Sequence, residues 1–214
     1  MSNFMELVSV DKVYKNGEKD IFALRNINLI LRESEYLAII GPSGAGKSTL
    51  IHIMGGLQTP TKGEVLFQGR NIYKMKDSSI SLWRSKVVGF VFQFYHLIEE
   101  LTVLENVANA FKKAKELLKY LGIEEKREAV PSQLSGGEKQ KVAIARALVN
   151  SPKVILCDEP TGNLDRDSAQ KVINFLEWLN VNEGKTLVIV THNTEIVKRA
   201  DRVMKIKDGE IRKS

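Results

Sequence analysis

The stretch "YLAIIGPSGAGKSTL", residues 36–50, joins a short apolar run to a loop that is rich in glycine. A continuous apolar run of this length is typical of a strand that is buried on both faces of a parallel sheet. The glycines allow the loop to curl so that its backbone N–H groups point towards one centre. The residues "KSTLIHIMGGL" that follow predict a helix, whose N-terminus also attracts an anion. The stretch therefore predicts a strand, a phosphate-binding loop and a helix.

The loop matches the pattern G-x-x-x-x-G-K-[ST] through Gly41, Gly46, Lys47 and Ser48. The pattern predicts that Lys47 neutralises the β- and γ-phosphates of a nucleotide and that the Ser48 hydroxyl ligates Mg²⁺. Kinases, GTPases, helicases and transport ATPases share this loop, so it does not identify the function. The predicted nucleotide-binding residues of the loop are Gly41, Pro42, Ser43, Gly44, Ala45, Gly46, Lys47, Ser48 and Thr49.

Strand-like and helix-like segments alternate along the rest of the chain. The predicted strands are "ELVSVDKVY", "LRNINLIL", "EVLFQG", "VVGFVFQ", "VILCDE" and "TLVIVTH", and the tail "VMKIKDGEI" predicts a hairpin. The predicted helices are "AFKKAKELLKYLGI", "GGEKQKVAIARALVN" and "SAQKVINFLEWL". This pattern predicts an α/β fold with a mainly parallel sheet, an antiparallel β part at the N-terminus and a helical insertion. We expect one domain over residues 1–214, with the helical subdomain at about residues 94–150.

Composition and charge limit the class of protein. The net charge of +6 and the isoelectric point near 9.3 favour an anionic partner, such as a nucleotide, a nucleic acid or an acidic membrane surface. A solvated surface of lysine and glutamate would give the same charge. The single cysteine, Cys157, lies in an apolar run and is expected to be a core residue. No secretory signal is evident, and no apolar run approaches the roughly 20 residues that span a bilayer.

Polar residues follow three of the predicted strands. Asp158 and Glu159 come after "VILC", Gln93 comes after "FVF", and His192 comes after "VT". Asp158 is expected to position Mg²⁺, and Glu159 to orient and polarise an attacking water. Gln93 is able to reach both the metal and the water. His192 is placed where it could contact a γ-phosphate. Taken singly, a glutamine after a strand is often just exposed, and a lone histidine is often structural.

The stretch "LSGGEKQKVAIARAL", residues 134–148, decides between the classes. Ser135, Gly136 and Gly137 open a helix and form a second N-terminus suited to an anion. Since the first loop already grips the γ-phosphate of its own nucleotide, a second grip fits a nucleotide held by another copy. Here the sequence resembles the ATP-binding cassette family, of which "LSGGE" is the signature. The resemblance covers nearly the whole chain, with "ILCDE" and "NLD" (163–165) in the family's order.

The resemblance implies that ATP and Mg²⁺ are the cofactors. Two ATP molecules would be sandwiched in a head-to-tail dimer, and a separate transmembrane permease subunit would be the second partner. Tyr14 matches the aromatic residue that stacks on adenine, although a tyrosine that packs locally on its strand fits the sequence too. Lys47, Ser48 and Gln93 match the contacts to phosphate and Mg²⁺.

The remaining motifs match catalytic and dimer contacts of the family. Ser135 and Gly137 match the contacts to the partner's γ-phosphate, and Asp165 matches a residue that links the two sites. Glu159 matches the general base, and His192 matches the residue that senses the γ-phosphate. Catalysis would then depend on Glu159, His192, Lys47 and Gln93, with metal contacts from Ser48, Gln93 and Asp158.

Within the family, "FQFYHLIEELTVLENV" and "DEPTGNLD" resemble the subgroup that serves lipoprotein release, macrolide-type export and cell-division complexes. We therefore expect the ATPase subunit of a transporter, held at the inner face of the cell membrane by its partner. One alternative is an ATPase that drives a regulatory membrane complex. A soluble cassette acting on nucleic acid is a third, but the long coiled coil of repair-type members and the second cassette of translation-type members are absent from this sequence.

The sequence departs from the family at two places. Ser34 and Glu35 stand where the family usually has Gly-Glu, which affects a turn rather than the chemistry. The segment between Val107 and Pro131 is shorter than is usual in the subgroup. Because this helical segment normally abuts the membrane partner, the geometry of that contact is where a difference is expected.

Overall fold

The structure is a computed structural model that describes residues 3–17, 19–107 and 111–212. Two of the predicted segments extend beyond this part of the chain. The sequence "KNGEKD", between the first two predicted strands, is typical of a turn and contains residue 18. The predicted helix "AFKKAKELLKYLGI" begins at residue 110, within the segment 108–110, and residues 18 and 110 both lie outside the described ranges.

Ten strands and seven α-helices alternate over the described residues. The strands are β1 (Met5–Asn16), β2 (Lys19–Leu31), β3 (Tyr36–Ile40), β4 (Lys62–Phe67), β5 (Arg70–Asn71), β6 (Val88–Val91), β7 (Val154–Asp158), β8 (Thr186–Val190), β9 (Arg202–Lys207) and β10 (Glu210–Arg212). The helices are α1 (Lys47–Met54), α2 (Asp77–Val87), α3 (Val103–Val107), α4 (Phe111–Tyr120), α5 (Gly136–Leu148), α6 (Arg166–Val181) and α7 (Thr194–Arg199).

The strands form two sheets. The smaller sheet has the order β2-β1-β4-β5 and is antiparallel. The larger sheet has the order β10-β9-β3-β8-β7-β6, in which β9, β3, β8, β7 and β6 are parallel and β10 returns antiparallel to β9. The predicted α/β fold with a mainly parallel sheet and an antiparallel N-terminal part is confirmed.

The central strands of the larger sheet, β3, β8 and β7, are buried on both faces, as their continuous apolar sequences predict. Alternate residues of β3 pack into different hydrophobic clusters: Leu37 and Ile39 join the cluster that contains α1, and Tyr36 joins the cluster that contains residues of α3–α6. Cys157 on β7 is fully buried in the second cluster, and burial raises the pKa of its thiol. Its expected place in the core is confirmed.

Two helices lie outside the segments that the sequence predicts to be helical, which include the helical insertion at about residues 94–150. Helix α2 buries only Trp83, so its apolar pattern is weak, and α7 has only 6 residues. The departure at Ser34 also has a structural counterpart. Ser34 adopts a φ of 59°, which glycine takes without strain, and its hydroxyl donates a hydrogen bond of 2.8 Å to the carbonyl of Gly184. The turn before β3 is therefore kept with serine in place of glycine.

Candidate functional site

A cavity of about 600 Å³ lies at the carboxyl ends of four neighbouring parallel strands, β3, β8, β7 and β6. In open α/β sheets this edge is where ligands bind, because the loops that leave the strands converge there. The loop after β3 meets the ends of the other three strands around one space. The residues that line the cavity are Ala23, Gly41, Pro42, Ser43, Gly44, Gly46, Lys47, Ser48, Thr49, Gln93, Asp158, Glu159 and His192.

The glycine-rich loop is shaped by close backbone contacts. Gly46 has a φ of 98°, and a Cβ added there would lie 2.2 Å from the carbonyl oxygen of Ala23. A Cβ added at Gly41 would lie 2.2 Å from the carbonyl oxygen of Ile206. Only glycine fits at these two positions, and Gly46 also requires the left-handed conformation that glycine tolerates. The loop is thereby fixed against β2 and β9 before any ligand is bound.

Lys47 is the first residue of α1 and points back over the loop. Its Nζ donates hydrogen bonds of 2.9 Å and 3.0 Å to the carbonyl oxygens of Gly41 and Pro42. The ammonium is thus held at the mouth of the loop by two neutral acceptors. Phosphate oxygens are stronger acceptors for a cation than carbonyls, so an anion in the cavity would compete well for this group.

The end of β7 carries two carboxylates in different settings. Asp158 is the last residue of the strand, and Glu159 follows it with a φ of 47°, unusual for a residue with a side chain. The backbone N–H of Glu159 donates to the carbonyl of Val190 on β8 at 2.9 Å. Residues held in sparsely populated backbone regions are concentrated at functional sites.

Glu159 and His192 contact one another across the ends of β7 and β8. Glu159 Oε2 lies 3.0 Å from His192 Nδ1. The side chain of Glu159 is only 13% exposed, whereas that of His192 is 76% exposed. One carboxylate is therefore held in the wall of the cavity by an imidazole that faces the opening. The sequence placed both residues on the same edge but did not predict this contact.

Gln93 is tied to the loop that follows β7. The side-chain amide of Asn163 donates a 3.0 Å hydrogen bond to the carbonyl of Gln93. A Cβ added at Gly162 would lie 3.1 Å from Gln93 Nε2, so the two loops are in close contact. The motif "NLD" includes Asn163, but the sequence did not predict its contact with Gln93. Ala23 also lines the cavity, and an alanine within a strand gives no signal in the sequence.

The signature stretch forms the N-terminus of α5, outside the cavity. Ser135 caps the helix: Glu138 N–H donates to Ser135 Oγ at 3.4 Å, and Ser135 N–H donates to Glu138 Oε2 at 2.8 Å. This reciprocal capping box fixes the direction in which the first turn presents its N–H groups. A Cβ added at Gly137 would lie 2.6 Å from Ser168 Oγ, so α5 begins in close contact with α6.

The capping box predicts a pH dependence of stability. A hydrogen bond from Lys126 and then the backbone N–H of Ser135 lower the pKa of Glu138 from 4.5 to about 2. Because the folded pKa is depressed, this stabilisation is complete above pH 4.5 and is lost as the pH falls towards 2. We expect Glu138→Gln to lower the free energy of unfolding by about 1 kcal/mol at pH 7 and by less than about half of that at pH 3. Urea unfolding at both pH values measures this, and an equal loss at both would contradict it.

Three parts of the predicted site lie away from the cavity. Tyr14 on β1 is 37% exposed, and its hydroxyl donates a 2.6 Å hydrogen bond to Gln58 Oε1. Ser135, Gly136 and Gly137 lie at the start of α5. Asp165 caps α6 by accepting from the N–H groups of Asp167 and Ser168 at 3.0 Å, and its bonds with Ser168 lower the pKa of its carboxyl. Nothing within one copy brings these residues onto the cavity that holds Lys47.

Two features are absent from the described ranges. In those ranges no helix combines the length and the apolar character needed to cross a membrane. The same part of the chain contains no cluster of three or more His, Cys, Asp or Glu side chains that could hold a metal ion.

Comparison with known proteins gives one family. Residues 24–162 match the family model described as "ABC transporter". The chain is 46% identical over 218 residues to an uncharacterized ABC transporter ATP-binding protein of Methanocaldococcus jannaschii, covering 97% of each chain. It is 44% identical over 222 residues to the lipoprotein-releasing system ATP-binding protein LolD of Geobacter metallireducens, covering 99% of each chain.

A solved structure has the same fold. It is a dimeric ATP-binding cassette in a post-hydrolysis state bound to ADP and Pi. That structure superposes with a TM-score of 0.92 at 41% identity, over 98% of this chain and 97% of the other.

Proposed function

The chain belongs to the ABC transporter family as an ATP-binding and ATP-hydrolysing subunit, and from this premise we propose how its residues do that work. One observation carries the proposal. Four neighbouring strand ends deliver Lys47, Gln93, Glu159 and His192 to one cavity of about 600 Å³. A cationic loop for phosphate faces a partly buried carboxylate for water across this space, which is the arrangement that phosphoryl transfer requires. The 214 residues would act as one nucleotide-binding domain with its helical subdomain at about residues 94–150.

Mg²⁺ fits the donors that the cavity offers. Ser48 supplies a hydroxyl, Gln93 an amide oxygen and Asp158 a carboxylate, all oxygen donors of the kind that Mg²⁺ prefers. Mg²⁺ commonly keeps one or two protein carboxylates and completes its shell with phosphate oxygens and water. When bound, the ion would offset the charge of the β- and γ-phosphates. Ser48, Gln93 and Asp158 would hold it at the open side of the loop.

Glu159 is proposed as the general base and His192 as its orienting partner. Glu159 Oε2 lies 3.0 Å from His192 Nδ1 and accepts from the backbone N–H of His192 at 3.4 Å, which leaves the other carboxylate oxygen for a water molecule. A carboxylate that is mostly shielded from solvent polarises a water more strongly than an exposed one. The exposed imidazole of His192 would at the same time reach the γ-phosphate, so it links the state of the nucleotide to the position of the base.

The protein is proposed to work as a head-to-tail dimer with two ATP molecules at the interface. Ser135 and Gly137 form a capped helix N-terminus that no nucleotide in the same copy can reach, since it lies outside the cavity. Such an N-terminus binds anions. A second copy placed head to tail would bring it onto the γ-phosphate at Lys47 of the first, and Asp165 would lie near the contact between the two sites.

A groove next to Gln93 is proposed to receive the permease subunit. It has a volume of about 490 Å³, and its lining includes Leu57, Phe92, His96 and Arg146. Phe94, at the same loop, is 69% exposed. Exposed apolar side chains beside a groove are typical of a protein–protein contact. A segment of the permease seated here would sense the position of Gln93 directly.

Tyr14 is proposed to stack on adenine, and this makes a prediction about substrate affinity. Loss of the ring in Tyr14→Ala should raise KM for ATP by about five- to tenfold, since stacking on an aromatic ring contributes about 1–1.5 kcal/mol. The value of kcat should change little, because the ring is far from the γ-phosphate. Tyr14→Phe is the matched control: it keeps the ring and loses only the hydrogen bond to Gln58. Steady-state ATP hydrolysis separates the two constants, and an unchanged KM in Tyr14→Ala would contradict stacking.

The chain is proposed to belong to the lipoprotein-release subgroup of the family. The similarity to LolD of Geobacter metallireducens over 99% of both chains supports it. The chain would then lie on the inner face of the cell membrane, held there by its permease subunit. The transported molecule would be chosen by that subunit, because the cavity described here is shaped for phosphate.

The experiment that tests this function is a pull-down from detergent-solubilised native membranes. Tagged Glu159→Gln would be used with ATP present, and the captured proteins identified. The expected result is a protein with several membrane spans and a large extracytoplasmic domain. Lys47→Ala, which should bind ATP more weakly, is the matched control for nucleotide-dependent capture. A soluble or nucleic-acid partner without any membrane protein would overturn the transport function and leave the ATPase intact.

A further inference from the structure

The segment after Gln93 turns through two consecutive strained residues. Tyr95 and His96 have φ values of 56° and 49°. In this left-handed region a Cβ crowds the backbone, so residues other than glycine rarely adopt it twice in succession. Such a turn persists only where its surroundings hold it in place. The contacts of these two residues therefore decide where the chain goes when it leaves Gln93.

One arginine holds both strained residues. Arg146, in the last turn of α5, donates from Nη1 to the carbonyl of His96 at 2.5 Å and from Nη2 to the carbonyl of Tyr95 at 2.6 Å. A planar guanidinium with two parallel donors fits a pair of adjacent acceptors, which a single flexible ammonium does less well. No ion pair of the described residues includes Arg146, and burial lowers the pKa of its guanidinium. Its strongest partners are thus the two carbonyls of the turn.

The other end of α5 contacts the same turn. A Cβ added at Gly136, the first residue of the helix, would lie 3.1 Å from the hydroxyl of Tyr95. Gly136 and Arg146 are separated by about 15 Å of helix. Tyr95 therefore contacts α5 at two points: its hydroxyl lies near the start of the helix, and its carbonyl accepts from Arg146 near the end. These contacts place the turn against α5 along most of the length of the helix.

We infer that Arg146 is a positioning residue that sets Gln93 in the cavity by fixing the turn of Tyr95 and His96 to α5. The carbonyl of Gln93 is held from the other side by Asn163. The inference rests on the proposed contact of Gln93 with Mg²⁺ and water. Its consequence is mechanical: because α5 begins with the N-terminus proposed to close on the partner's nucleotide, Gln93 reaches its working position when α5 does. Arg146 also lines the groove proposed for the permease, so a subunit seated there would contact the residue that joins the turn to α5.

Steady-state ATP hydrolysis by the full chain tests the coupling. Arg146→Met removes both hydrogen bonds while keeping most of the side-chain length. We expect kcat to fall by about tenfold to a hundredfold, as for a catalytic group misplaced by about 1 Å, with KM for ATP changed by less than about threefold. The decisive measurement is a cycle with Gln93→Ala. If Arg146 acts through Gln93, the double variant should have the kcat of Gln93→Ala alone.

Two further variants separate positioning from stability. Arg202→Met is the control, since Arg202 also donates to a backbone carbonyl, that of Ile30 on β2, pairs with the buried Glu35, and does not line the cavity. It should lower the melting temperature and leave kcat unchanged. Arg146→Lys keeps the positive charge but lacks the two parallel donors of the guanidinium, so it should give an intermediate kcat. If Arg146→Met does not fold, Arg146→Lys replaces it in the cycle.

Each other outcome overturns the inference in a distinguishable way. Effects of Arg146→Met and Gln93→Ala that multiply in the double variant would show that the two residues act independently, with the role of Gln93 intact. A loss of kcat in Arg146→Met but not in Gln93→Ala would overturn the proposed role of Gln93 and the inference with it. A wild-type kcat in Arg146→Met would overturn the inference alone.

Discussion

Glu159→Gln is expected to bind ATP and to lose at least about a hundredfold of its hydrolysis rate, the range that a general base contributes. Glutamine has the same shape as glutamate, so its amide still fits the wall of the cavity beside His192. It cannot accept a proton from water, however, and it lacks the charge that polarises the attacking oxygen. Since hydrolysis is what reopens the proposed dimer, this variant should also accumulate as a closed dimer in the presence of ATP.

Two measurements check the result for Glu159→Gln. Phosphate release gives the rate, and size-exclusion chromatography with and without ATP gives the oligomeric state. Glu64→Gln is a suitable control, because it makes the same chemical change at an exposed ion pair with Lys74. It should hydrolyse ATP as the wild type does. A wild-type rate in Glu159→Gln would mean that another group activates the water, and Asp158 would be the next residue to examine.

Both the fold class and the edge of the sheet that bears the cavity could be predicted from the sequence, for one physical reason. Parallel strands that are buried on both faces leave continuous apolar runs, and the polar residues that end those runs must meet at one edge. Lys47, Gln93, Asp158, Glu159 and His192 each follow such a run or its loop, and all five line the same cavity.

Other features could not be read from the sequence because they depend on distant contacts. Arg146 is one of several basic residues on a helix, and only the folded chain shows that it bonds the carbonyls of the turn at Tyr95. The 3.0 Å contact between Glu159 and His192 joins residues that are 33 positions apart. Helix α2 was not predicted because it buries a single side chain, so its sequence shows little helical periodicity of apolar residues. The local pattern of apolar and polar residues predicts which side chains are buried. These contacts depend instead on which loops lie next to each other in the folded chain.

Lys47→Ala is expected to have the opposite defect to Glu159→Gln: it should fail at nucleotide binding. The Lys47 ammonium supplies the positive charge of the loop. It donates hydrogen bonds to the carbonyls of Gly41 and Pro42. A hydrogen bond to a charged group contributes about 1.5–3 kcal/mol, so the Kd for ATP should rise by roughly tenfold to a hundredfold. Hydrolysis should fall further than binding, because the ammonium also offsets charge that develops on the transferred phosphoryl group.

Equilibrium binding of a fluorescent ATP analogue, measured with Mg²⁺, separates loss of binding from loss of folding. The folded state should persist in Lys47→Ala, because the two carbonyls freed by the substitution line an open cavity and can bond to water instead. Lys74→Ala is the matched control: it removes a lysine that is 74% exposed and paired with Glu64, so the Kd should stay at the wild-type value. A Kd for Lys47→Ala within about twofold of wild type, equivalent to less than about 0.5 kcal/mol, would mean that the loop amides alone hold the triphosphate. In that event the assignment of Lys47 to binding would be wrong, and its effect would be confined to the chemical step.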